Sequence, residues 1–398
     1  MKVLLATGRP PWPPWRGDQL RARQLVEALA TEHEVTWLAP AADGEPSPPS
    51  RVRRETYRLR GAAAAALLAS PGVLRGWPLQ TLPFRQPDLG RRLRALAPEH
   101  DVVVLQLARL LPHLPDVGST PLVVDLIDCL SLNAATRAAV DRVPLRPLLR
   151  LEARRLATAE ARLIAVSRAT LVVCERDRQA LARLAPELAD HIHVAPIAVG
   201  EIAGASAPIA AGESAGAMTP PRTSDEPTVV LTGNLGYFPN RDALRFFLAE
   251  VWPPLRRTVP GLRLLVAGDR PSRGAARRVA AAGGTLVARP PDLRSLLASA
   301  TVAVAPLRCG SGVPLKVLDA WAAGVPVVAS PFAAAGVAAV PERDLLVADS
   351  PREWAVQIQR VLADGALRSR LVDAGRARLA ELSPRRVYPE LRRLVTGF

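Results

Sequence analysis

Short apolar runs of strand length alternate with longer amphipathic segments, and the series runs twice along the 398 residues, on either side of a stretch without period. Such alternation marks β-α-β units, whose parallel strands are covered by helices on both faces and so need no polar face of their own. The first series has its runs at residues 3–6, 34–39, 101–107, 121–128, 162–167 and 192–199, and the second at 228–232, 262–267, 285–288, 301–307, 325–329 and 345–348. Between them residues 201–227, built from Gly, Ala, Ser, Thr and Pro, read as a flexible linker. The chain is longer than one hydrophobic core usually covers. The expected architecture is therefore α/β: a doubly wound domain at 1–200, the linker, a second doubly wound domain at 228–380, and a helix at 381–398 packing across both. Two such domains would face each other across a cleft, with ligands at the carboxyl ends of the strands.

The second series contains RCGSGVPLKVLDAWAAGVPVVAS, residues 308–330, in which a glycine-rich turn follows a strand and precedes a short helix. Gly310 and Gly312 let a ligand approach the backbone, and Pro314 suits the first helical position. The amides near Val313, Leu315 and Lys316 lie at the positive end of the helix dipole, where a diphosphate is stabilised. Gly324 and Pro326 stop the helix after about ten residues. Lys316 and Asp319, three apart, share one face. As an exposed ion pair they would contribute a few tenths of a kcal/mol; around a nucleotide, Lys316 would meet phosphate oxygens and Asp319 a pair of sugar hydroxyls. Among 52 basic residues only Lys2 and Lys316 are lysine. In a composition that has drifted to arginine, an ammonium kept inside the glycine-rich motif points to a need for that group there.

The formal charge of +15 divides into +7 up to Gly200 and +8 beyond it, so no basic tail or single basic domain emerges. Aromatic residues are few and no basic stripe interleaves with them, which argues against nucleic acid as a partner. The densest basic run, residues 51–94, sets ten arginines against Glu55 and Asp88. It reads first as a solvated face and second as a peripheral contact with an anionic membrane. Cys129, Cys174 and Cys309 are too scattered for a disulfide framework or a zinc site and fit a reducing cytosol. The apolar stretch at 62–74, broken by Pro71 and Gly72, is shorter than the ~20 residues of a spanning helix. The sequence has no GxxxxGK phosphate loop, no intact GxGxxG after a strand and no HExxH, so neither an ATPase, a dehydrogenase nor a metal centre is expected.

The segment KVLDAWAAGVPVVAS resembles the carboxy-terminal signature of the retaining, two-domain glycosyltransferases of family 4, where the pattern is Lys-Val-Leu-Glu-Ala-Met-Ala-Ala-Gly followed by Pro-Val-Val. Residues 232–271 are similar to that family's domain-opening strand, helix and Val-Gly-Asp strand, Asp292 matches its turn before the penultimate helix, and residues 10–40 resemble its first glycine-rich loop and helix. The resemblance implies the GT-B fold and the transfer of a sugar from a nucleotide diphosphate sugar to a hydroxyl acceptor with retention, without metal or other cofactor. Bacterial polysaccharide, glycolipid or natural-product glycoside synthesis is the implied setting. It further implies that Arg308 and Lys316 clamp the donor diphosphate, that Asp319 replaces the glutamate holding the donor ribose, and that Gly17 lies beside the distal phosphate. Gly233, Gly310, Ser311, Gly312, Val313 and Leu315 complete the implied donor site.

The sequence also departs from the family. Ser311 stands where the first glutamate of the paired-acid motif belongs. GNLGYFPN, residues 233–240, replaces the arginine and lysine that many relatives place after the first strand of this domain. No amino-terminal histidine is evident, and Asp128, with Asp125 nearby, is the nearest polar group at a strand's carboxyl end. An epimerase or hydrolase of the same fold, or a catalytically silent nucleotide-binding scaffold, fits the same residues.

Overall fold

The computed structural model of the chain describes residues 1–10, 16–41, 49–199 and 226–397. The expected linker lies outside the described residues except for Glu226 and Pro227. The chain forms two compact units, one of Met1–Ala198 with Pro384–Phe398 and the other of Val199–Ser383.

The first unit holds seven parallel strands, β1 (Lys2–Ala6), β2 (Glu34–Pro40), β3 (Val52–Tyr57), β4 (Val102–Gln106), β5 (Leu122–Ile127), β6 (Ala169–Val172) and β7 (Ile192–Val194), in the order β3-β2-β1-β4-β5-β6-β7. Side chains alternate across the sheet, so that Leu4 and Ala6 of β1 enter one apolar layer while Val3 and Leu5 enter the other. Two expectations fail here for physical reasons. The run at 162–167 is no strand: it ends the helix Arg146–Val166, whose buried Leu156, Ala159, Leu163 and Ile164 follow the helical period, and the strand is the next run, β6. β3 reads VRRETY and carries no apolar run, because an edge strand with only its two ends buried needs none.

The second unit holds six parallel strands at the six expected places: β8 (Thr228–Thr232), β9 (Arg263–Gly268), β10 (Thr285–Ala288), β11 (Val302–Ala305), β12 (Val327–Ala329) and β13 (Leu346–Val347). Their order is β10-β9-β8-β11-β12-β13. Here too the central strand feeds two cores, Val229 and Leu231 on one side and Val230 on the other. Because β8 lies between β9 and β11, the chain leaves it in one direction and returns on its other side. The loops after β8 and β11 therefore diverge at the carboxyl edge, which is where doubly wound sheets open a crevice.

Three helices close the chain. Pro351–Ala363, with a capping box between Ser350 and Glu353, and Gly365–Glu381 belong to the second unit. Pro384–Thr396 belongs to the first, where Leu391, Leu394 and Val395 join the core beneath the helix Gly17–Ala30. Tyr388 donates to Glu27 Oε2 at 2.6 Å and Arg392 pairs with Glu32 at 2.7 Å.

Candidate functional site

The loops at the carboxyl ends of β8, β9 and β11 meet through glycine. Gly233 (φ 141°) and Gly268 (φ 158°) end their strands so closely that a Cβ on Gly268 would lie 1.8 Å from the Gly233 carbonyl oxygen. A Cβ on Gly233 would in turn stand 2.9 Å from Asn240 Nδ2 and 3.1 Å from Lys316 Nζ. The loop after β11 turns at Gly310 (φ 130°) and Gly312 (φ 69°), which flank the half-buried Ser311. Val313 and Pro314 then lead into the helix Leu315–Ala322. Pro314 is the N-cap, one place before the expected first helical position, and its ψ of 88° is non-helical. Gly324 (φ 70°) ends the helix, and Val325 donates back to the Ala320 carbonyl at 2.9 Å.

Lys316 and Asp319 sit side by side on the half-buried face of this helix. The Lys316 ammonium donates to Asn240 Oδ1 at 2.8 Å, and Asn240 is itself fixed by its Nδ2 donating to the Asn234 carbonyl at 2.9 Å. The Asp319 carboxylate accepts no hydrogen bond from any described residue. Desolvation pushes the lysine down to about 7 and the aspartate up to about 7, each partly opposed by the charge of the other. An anion arriving at Lys316 restores its charge, and hydroxyls arriving at Asp319 supply donors it lacks.

Arg308 is held by a group that the sequence did not single out. Asp242, on the helix Phe238–Phe246, is buried and takes Arg308 Nε at 2.9 Å and Nη2 at 2.8 Å in a bidentate pair. The same carboxylate accepts from Arg245 Nη2 at 2.7 Å, and the Arg308 guanidinium lies 4.9 Å from the Phe246 ring centre. The hydrogen bonds to Asp242 raise the arginine further above its already high range. A guanidinium fixed on one edge keeps its other edge in place for a ligand. Asn240, Asp242 and Gly268 thus join the expected Gly233, Arg308, Lys316 and Asp319. The legible signal for Asp242 was an i,i+3 spacing to Arg245; its pairing with Arg308, far along the chain, had none.

In the first unit Gly17 opens the helix Gly17–Ala30 and Asp18 follows in its first turn, bonded to Arg9. Asp125, inside β5, is fully buried against Arg21, with Nε to Oδ2 at 3.1 Å. Arg21 also donates to the Pro196 carbonyl at 3.1 Å, so this pair is an internal strut. Asp128 follows β5 half-buried, after Ile127 at φ 66°. It is not the N-cap of the next helix, Leu130–Val140; that place belongs to Cys129. The amides there go to carboxylates from elsewhere: Cys129 N to Asp177 Oδ2 at 2.9 Å and Leu130 N to Glu160 Oε1 at 2.6 Å. Burial, with a contribution from the nearby negative charge of Asp128, pushes Glu160 up to about 7.

Residues 226–364, nearly the whole described second unit, match the family described as Glycosyl transferases group 1. Over these residues the second unit is similar to that family. Solved structures agree over the whole chain. A sucrose-phosphate synthase from Thermosynechococcus elongatus superposes with a TM-score of 0.72 at 16% identity, covering 99% of this chain and 98% of that one. Anabaena HepE, solved with UDP-glucose, gives 0.67 at 12% identity with both chains fully covered. A UDP-forming α,α-trehalose-phosphate synthase from Burkholderia vietnamiensis gives 0.66 at 15% identity, covering 98% and 100%. At these identities the likeness carries the fold, two Rossmann-like units of the GT-B type. A comparison with curated protein sequences returns no match. The cluster of Arg308, Lys316 and Asp319 lies inside the matched residues, and Asn240 and Asp242 do too.

Proposed function

We propose that this glycosyltransferase moves a sugar from a nucleotide diphosphate sugar to a hydroxyl acceptor with retention of configuration. The observation that carries the reading is the pair at the helix Leu315–Ala322: an ammonium and a carboxylate, both disfavoured in their charged forms by desolvation, standing next to glycine loops whose backbone a ligand can approach closely. Bond cleavage leaves negative charge on the departing diphosphate. Arg308, Lys316 and the amides of Val313, Leu315 and Lys316 around the helix start neutralise that charge, a preorganised electrostatic contribution that takes the place of a divalent cation. Asp319 receives the ribose hydroxyls. The loop of Gly310, Ser311 and Gly312 and the turn at Gly233 line the diphosphate and the transferred sugar, and Ser311 reads a sugar hydroxyl where the family uses a glutamate.

The neighbours solved with UDP or UDP-glucose support a nucleotide-linked donor, as does the family of the second unit. The test is Lys316→Ala. With the true donor, identified from a thermal-shift panel of nucleotide sugars, kcat/KM falls by roughly 10²–10³-fold, about 2.7–4 kcal/mol, while the melting temperature holds. An unchanged kcat/KM overturns the assignment.

A further inference from the structure

The first unit presents a face that its own fold does not explain. The helix Ala62–Ala69, reading AAAAALLA, continues into Pro71–Leu74 and then into the 3₁₀ turn Leu79–Phe84. This segment is tied to the helix Arg146–Val166: Glu152 of that helix accepts from Leu79 N at 2.9 Å and Gln80 N at 3.0 Å, and Arg155 donates to the Val73 carbonyl at 3.5 Å. Along the joined surface large apolar side chains stand in solvent. Leu74 is 92% exposed, Leu67 75% and Val143 70%, with Leu79, Leu145, Leu148 and Leu151 also exposed. A soluble surface disperses such residues; here they gather on neighbouring segments.

Beyond Arg58, whose backbone amide meets Asp88 at 2.8 Å, the charges on this face have one sign. Residues 56–87 contain no aspartate or glutamate, and residues 142–159 contain only Glu152, which is buried and engaged by amides. Arg58, Arg60, Arg75, Arg142, Arg150 and Arg154 are exposed, and their side chains take no hydrogen bond or ion pair among the described residues. The rest of the basic run is different in kind. Arg53 and Arg92 pair with Glu55, Arg91 with Asp88 and Arg94 with Asp116, and Arg54 crosses the carbonyls of Trp37 and Pro40. Those arginines hold β3 and its neighbouring helix in place; the unpaired ones frame the leucines.

We propose that this face docks on an anionic lipid bilayer, with Leu67, Leu74, Leu148 and Leu151 entering the headgroup boundary and the unpaired arginines meeting lipid phosphates. The charge complementarity selects that occupant: leucines ringed by cations without an exposed carboxylate suit a surface that is apolar beneath and negative above. Contact is peripheral, since among the described residues no helix is long and apolar enough to cross a membrane. The inference does not rest on glycosyl transfer, and its test leaves the donor site untouched.

The experiment is co-sedimentation of the full chain with vesicles of phosphatidylglycerol and phosphatidylcholine against vesicles of phosphatidylcholine alone. The unaltered protein binds the anionic vesicles at least tenfold more tightly, and 0.5 M salt weakens that binding. The double variant Leu67→Glu/Leu74→Glu and the double variant Arg150→Glu/Arg154→Glu each lose at least tenfold, while both keep the melting temperature and its rise with nucleotide. No binding to anionic vesicles overturns the proposal, as does equal binding by the variants. Self-association of the unaltered chain that either variant abolishes also overturns it, by showing that a second copy covers the face.

Discussion

The two units are built on the same plan and treat the charged groups at their strand ends in opposite ways. In the first, carboxylates are turned inward: Asp125 meets Arg21 through Oδ2, leaving its Oδ1 and Arg21 Nη2 buried without a hydrogen bond among the described residues, and Asp177 and Glu160 take the amides that open the helix Leu130–Val140. In the second, Asp242 is consumed in the same manner, but its partner Arg308 stays about one-third exposed, Asp319 accepts nothing and Lys316 has a single amide oxygen. A pair sealed from solvent, as Arg21 and Asp125 are, can only serve the fold; one that stays accessible leaves room for a ligand to complete it. The comparison puts the accessible, incompletely paired groups in the second unit and gives most polar groups of the first a structural duty.

Substitutions can break this division, and the largest effect falls on the first unit. Asp125→Ala leaves the Arg21 guanidinium buried without its counter-charge, which costs about 3–5 kcal/mol. Urea unfolding followed by tryptophan fluorescence reports the loss, while nucleoside diphosphate affinity of the folded protein stays the same. A parallel fall in affinity would show that the two units do not divide the work. Next comes Asp242→Ala, which frees Arg308 and removes the group that aims it. A loss in kcat/KM of about 2–3 kcal/mol is expected, and steady-state kinetics should show it chiefly in kcat if Arg308 meets the departing diphosphate. Asp319→Asn is smaller. It weakens binding of ribonucleoside diphosphates by about tenfold, or ~1.4 kcal/mol, the scale of a hydrogen bond to a charged group. It leaves 2′,3′-dideoxynucleotides unaffected, a contrast that isothermal titration resolves.

The smallest effect is a pH dependence with two limbs. In the free protein Lys316 loses its proton above about 7, and a bound diphosphate holds that proton, so affinity falls as pH rises past 7. Asp319 gains a proton below about 7, and the ribose hydroxyls favour its ionised form, so affinity also falls as pH drops. Binding therefore peaks near neutrality. Lys316→Met flattens the alkaline limb and Asp319→Asn the acid one. Since the two groups interact, the midpoints belong to the pair, and a variant that moved both limbs together would indicate strong coupling.

The sequence announced most of the second unit because its strands are apolar on both faces and its site glycines follow directly from them. Gly233, Gly310 and Gly312 needed no tertiary information. Gly268 did, since its requirement comes from the Gly233 carbonyl across the sheet. Asn240 and Asp242 stayed hidden for the same reason: each acts through a partner far along the chain. In the first unit the polar edge strand β3 gave no apolar signal, and LIAV at 163–166 reads equally as a strand or as the buried side of a helix. Asp125 and Asp128, three apart in one motif, differ only in depth, which periodicity does not report.

The helix Pro384–Thr396 completes the core of the unit that the chain starts first. During synthesis the first 198 residues emerge with the surface meant for Leu391, Leu394 and Val395 still bare, and the second unit is made before that surface is covered. The second unit can therefore reach its final state before the first, whose core waits for the last helix. A protein clipped after Ser383 would retain an intact second unit and a first unit lacking one wall.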